Sequence, residues 1–92
     1  MLLRRYTKKF KKTYNKAIKS GVVTRAVVER ITERLANEEV LEFRHHDHAL
    51  TGTRKGYREC HVRPDLLLIY KVEKDILILV LAEIGSHSEL FE

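Results

Sequence analysis

Ninety-two residues, 43% hydrophobic and 34% charged, suffice for one folded domain over 1–92 and argue against a disordered chain. No apolar run approaches the roughly 20 residues of a membrane span, the start shows no apolar leader segment, and the lone Cys60 excludes an internal disulfide, so a cytoplasmic protein without a membrane partner is expected. The net charge of +5 is uneven: residues 1–20 hold eight basic residues and no acid, while the rest of the chain carries −3, which leaves a choice between a solvated helix face and a polyanion-binding surface.

Leu2–Tyr6 reads as a short first strand, and Thr7 as the N-cap of a helix over Lys8–Ser20. Phe10, Tyr14, Ala17 and Ile18 form its apolar stripe, with lysines opposite and Gly21 as the C′ stop. Thr24 caps a second helix whose apolar face is Val27, Val28, Ile31 and Leu35, and the short break between the two predicts a helical hairpin. Residues 38–56 are polar, contain Gly52 and Gly56, and read as a long loop with room for one short strand. Loops above about 12–15 residues in compact domains are often functional.

From Tyr57 to Arg63 the pattern alternates, placing Cys60 and Val62 on one face and Glu59 and His61 on the other. Pro64-Asp65 marks a turn, and the apolar runs Leu66–Val72 and Ile76–Ile84 predict two central strands joined at 73–75. A short polar segment follows Gly85. The expected fold class is α+β: an N-terminal helical hairpin packed on one face of an antiparallel β-sheet, the other face being free for a ligand.

All five histidines lie beyond residue 44, and imidazole is the side chain best suited to move protons near neutrality. His45, His46, Asp47, His48, Cys60 and His61 are possible metal ligands, but their spacing fits no zinc site, so no metal or other cofactor is expected. Cys60 and His61 point to opposite faces, which argues against a thiol nucleophile and for a core thiol. Cleavage of RNA suits the set better. There a base takes the proton of a 2′-hydroxyl, an acid protonates the leaving 5′-oxygen, and cations hold the phosphate. His48, His61 and His87 are the candidates for proton transfer, Asp65 for orienting an imidazole, and Arg54, Lys55 and Arg63 for the phosphates.

The ordered segments Asp47–Gly52, Lys55–Asp65, Leu67–Tyr70 and Gly85–Phe91 resemble the YafQ branch of the RelE/ParE superfamily of bacterial toxins from type II toxin–antitoxin systems. That resemblance implies a RelE-like fold and an endoribonuclease acting on mRNA at the ribosome. It implies a free monomer that joins a cognate antitoxin in a hetero-oligomer. It also implies catalytic roles for His48, His61, Asp65 and His87, with His87 as general acid, and a base-stacking role for Phe91. The alternative on the same fold is a non-catalytic protein that acts by binding an antitoxin or gyrase. Two departures stand out. Glu83 occupies a position where many members have an arginine, so it either repels the phosphate or turns to solvent, and Leu66 replaces an aromatic. His45 and His46 are expected to be loop residues without a chemical role.

Overall fold

Thr7 and Thr24 adopt extended backbone and accept hydrogen bonds from the Phe10 and Val27 amides, which fixes the starts of two helices. The structure, a computed structural model, describes residues 1–91. In chain order the elements are β1 (Leu3–Tyr6), α1 (Lys8–Lys19), α2 (Arg25–Ala36), β2 (His48–Ala49), β3 (Arg58–Arg63), β4 (Leu66–Glu73), β5 (Ile78–Gly85) and α3 (His87–Phe91). Gly21 closes the turn after α1 with φ 78°, a conformation that favours glycine.

The sheet runs β1-β5-β4-β3-β2. β2 through β5 pair antiparallel, as expected, but β1 pairs parallel with β5, so the five-stranded sheet is mixed. The reason is connectivity. Both helices lie between β1 and the remaining strands, and a long crossover of that kind permits parallel pairing.

Cys60, Leu68 and Ile84 stand opposite one another on three neighbouring strands and are fully buried, with Phe10, Val28, Ile31 and Leu35 of the helices over them. That is the main core, and it fills the face read from the alternation. Burial pushes the Cys60 thiol up, reinforced by Asp47 and Glu59, so it stays protonated and packs as a small apolar group. The opposite face carries a smaller cluster of Leu67, Ile69, Ala82 and Leu90, against which Leu50 and Tyr57 pack. No helix among the described residues is long and apolar enough to cross a membrane.

Three segments depart from the sequence-based expectation. The β4–β5 connection is longer than 73–75: Lys74–Ile76 form a 3-10 turn and Leu77 has φ 56°, which leaves Ile76 and Leu77 more than half exposed. The loop 38–56 is ordered by 3-10 turns at Phe43–His45 and Gly52–Arg54 around β2. The polar segment after Gly85 is helical. Ser86 Oγ accepts from the Glu89 amide, and Glu89 Oε1 accepts from the Ser86 amide, a reciprocal capping box. Those hydrogen bonds from Ser86 hold the Glu89 carboxyl below the usual carboxylate range.

Candidate active site

The sheet face away from the helices carries two adjacent cross-strand rows. One runs His48, Glu59, Ile69, Glu83; the next runs His61, Leu67, Gly85, and two residues past Gly85 comes His87. Period-two alternation puts these residues on one side because Cys60, Leu68 and Ile84 occupy the other.

Glu59 is the centre of the first group. It is only 6% exposed, and its Oε1 lies 3.6 Å from His48 Nε2 and 3.9 Å from His61 Nε2. Each imidazole is steered from behind by a carbonyl: His48 Nδ1 is 2.6 Å from the His46 oxygen, and His61 Nδ1 is 3.2 Å from the Pro64 oxygen. With Nδ1–H donated to a carbonyl, Nε2 of each ring is the atom left for proton exchange, and both face one carboxylate.

The loop that delivers His48 is pinned by its neighbours. Asp47 Oδ1 accepts from the Tyr70 hydroxyl at 2.6 Å and from Arg58 Nε at 3.2 Å. Burial and the bond to Asp47 push the Tyr70 hydroxyl up, which keeps it a donor. His45, 7% exposed, donates from Nδ1 to the His61 carbonyl at 2.7 Å and ties the same loop to β3. Asp47→Ala is expected to lower stability by about 1–3 kcal/mol by leaving the buried Tyr70 hydroxyl unpaired. Adding Tyr70→Phe should recover part of that loss, and denaturant midpoints of the single and double variants measure both.

The second group surrounds His87. The His87 ring is exposed and 5.1 Å from that of Phe91, and the Arg54 guanidinium sits 4.9 Å from the centroid of the Phe91 ring. Arg54 donates to Glu83 Oε2 and to the Leu90 carbonyl, both at 2.7 Å. Lys9 Nζ comes within 3.0 Å of Glu83 Oε1, at an angle that leaves that oxygen without a well-formed hydrogen bond. The carboxylate at position 83 is therefore neither a bare charge facing the phosphate nor turned to solvent. It is 14% exposed and flanked by two cations.

The family description "Bacterial toxin of type II toxin-antitoxin system, YafQ" matches residues 3–92. The chain belongs to the YafQ toxin family. Over 45 residues it is 47% identical to the mRNA interferase toxin YafQ of Escherichia coli K12, a match covering 49% of this chain and 47% of that protein. The matched stretch thus spans about half the length of this curated relative. A metal-bound toxin from Helicobacter pylori is 41% identical, with a TM-score of 0.93 over 99% of this chain and 100% of that one. YafQ of the E. coli DinJ-YafQ complex is 30% identical, with a TM-score of 0.88 over the full length of both chains.

In this YafQ-family chain the expected site residues fall into separate groups. His48 and His61 meet at Glu59, while His87 and Arg54 both pack against the Phe91 ring. Arg54 is engaged by Glu83 and Leu90 as well as being available to a phosphate through its remaining N–H groups. Asp65 lies exposed on the β3–β4 turn without a hydrogen bond to either imidazole, since the Pro64 carbonyl already meets His61 Nδ1. Lys55 is exposed at the end of a 3-10 turn, and Arg63 is exposed at the end of β3. His45 is not a plain loop residue but a buried tether. Glu59 was missing from the sequence-based set, although the alternation had already placed it beside His61 on the open face.

Proposed function

We propose that this chain is a toxin that cleaves mRNA as a metal-independent, ribosome-dependent endoribonuclease and is silenced by a cognate antitoxin. The observation that carries this reading is the convergence of His48 and His61 on buried Glu59, on the face that leads to His87. The Glu59 group takes the 2′-hydroxyl proton through an imidazole Nε2. The 2′-oxygen bonds to phosphorus, the P–O5′ bond breaks, and His87 gives its proton to the 5′-oxygen, leaving a 2′,3′-cyclic phosphate. Arg54, Arg63 and Lys55 supply positive charge for the phosphoryl oxygens, and Phe91 offers a ring to an adjacent base. Glu59 rather than Asp65 orients the imidazoles, because Asp65 is exposed on the β3–β4 turn and Glu59 lies between the two rings.

Primer extension on messages translated in the presence of the purified chain tests the proposal. Cuts within codons are expected, and they should survive a chelator even though a Helicobacter pylori relative is described as metal-bound. Uncut messages would overturn the nuclease reading, and chelator-sensitive cuts would overturn its metal independence. The binding-only alternative loses its main support, because Glu83 is compensated by Arg54 and Lys9.

An E. coli relative is described in complex with DinJ, and the lysine-rich α1 surface suits an acidic antitoxin segment here. Charge reversal at Lys8, Lys12 and Arg63 is expected to slow association with that antitoxin at low salt more than at high salt. Stopped-flow association rates at two ionic strengths check this.

A further inference from the structure

A second concave surface begins where the catalytic face ends. It is a cleft of about 660 Å³ between α2, the 43–46 segment and the end of β3, and its walls include Arg30, Arg34, Arg44, His46, His61 and Arg63. Among the described residues, β4, β5 and α3 contribute nothing to its lining, so the cleft leads from His61 away from β5 and from the helix that carries His87.

Its chemistry differs from that of the N-terminal patch. Six of the eight cations in residues 1–20 are lysines, whereas all four in the cleft are arginines. Lysine is a hydrated point charge; arginine is a planar fork that matches phosphate oxygens two at a time. Glu42 is the one carboxylate in the lining, and it is occupied by Arg34 at 3.2 Å and Arg44 at 3.3 Å. Arg30 and Arg63 have no ion-pair partner among the described residues, so the cleft keeps excess positive charge.

An aromatic ladder runs along its lip. Phe43 is 91% exposed, its ring is 5.7 Å from that of His46, and the His46 ring is 5.3 Å from that of His61. His46 takes φ 46°, a conformation a non-glycine residue adopts at some cost, while its carbonyl receives His48. A large aromatic left in water beside arginine forks is the pairing that holds single-stranded RNA, whose unstacked bases and adjacent phosphates need both.

We propose that the cleft is a subsite for single-stranded RNA continuing from the scissile phosphate, with one base on the Phe43 ring and successive phosphates on Arg44, Arg63 and Arg30. The inference rests on the nuclease reading, since it takes the strand at His61 to be substrate. The subsite reads the path of the strand through a stack and phosphate forks, so it accepts any base with a preference set by stacking strength.

The test uses fully 2′-O-methylated, fluorescein-labelled RNA strands of nine nucleotides, which cannot be cut, and anisotropy titrations at several salt concentrations. Phe43→Ala is expected to weaken binding about 5- to 150-fold, the loss of one base stack, while Phe43→Trp keeps wild-type affinity. Arg44→Ser with Arg63→Ser should reduce the slope of log K against log salt by about 1.4, at about 0.7 per phosphate on a single strand. Shortening the strand from one end should abolish the Phe43→Ala effect, which identifies the substrate flank as occupant. If the variants bind the strand normally but lose affinity for ribosomes with an empty A site, the cleft holds ribosomal RNA and the substrate subsite is overturned. Unchanged binding to both overturns the subsite. The two failures are distinguishable: Phe43-dependent binding without message cleavage sinks the nuclease reading and leaves the cleft as an RNA-binding surface only, while cleavage with Phe43-independent binding sinks the subsite alone.

Discussion

His87→Gln is expected to lower message cleavage by about 10²- to 10⁴-fold, the usual contribution of a positioned general acid, with little change in folding stability. The residue is exposed, opens α3 and contacts Phe91 through its ring, so glutamine removes the transferable proton without emptying a core site. Cleavage rates on a translated message, with the denaturation midpoint of the same protein, separate chemistry from folding. A variant that folds normally and cleaves at the wild-type rate would remove His87 from the mechanism. Glu59→Gln makes a useful companion, because it keeps the shape of the carboxylate between His48 and His61 while removing its charge.

Arg54→Met is expected to cost about 10²- to 10³-fold in cleavage, as the loss of one preorganised charge-stabilising group does. It should also cost about 1–3 kcal/mol in stability, because Glu83 and the Leu90 carbonyl would each lose a close donor. The informative variant is Arg54→Met combined with Glu83→Arg. It returns a guanidinium to the neighbourhood of His87 from the strand instead of from the 3-10 turn. Recovery of cleavage in that variant would show that the site needs a cation there and is tolerant of which element supplies it. Wild-type cleavage by Arg54→Met would remove the residue from phosphate stabilisation.

Much of this architecture was legible because it rests on local rules. The Thr7 and Thr24 caps, the stop at Gly21 and the alternation through Cys60 and His61 each determine an element from a few neighbouring residues. The α3 capping box was written in Ser86-His87-Ser88-Glu89 as well, but a short helix with one buried side chain, Leu90, lacks the apolar period that usually draws attention. What escaped depended on register. Glu59 acquires its place only when β2 brings His48 opposite it, and β2 is two residues long. Glu83 likewise has no meaning without Arg54, 29 positions away, and Lys9. Charges that pair across the fold are invisible to any reading by window, so a departure from a family pattern looked like a defect until its partners were in place.

The parallel pairing of β1 with β5 also sets a timetable. Leu3 meets Ile78 and Tyr6 meets Leu81, partners about 75 residues apart, and His87 lies farther still along the chain. During synthesis at about 5–20 residues per second, the first strand must wait for nearly all the others before its hydrogen bonds can close. Pairings of such long range are slow to form because loop closure precedes any gain. A nascent chain halted before β5 therefore holds neither a completed sheet nor the residue placed as acid. Completion of the sheet only after its last strand has been made is a delay written into its topology.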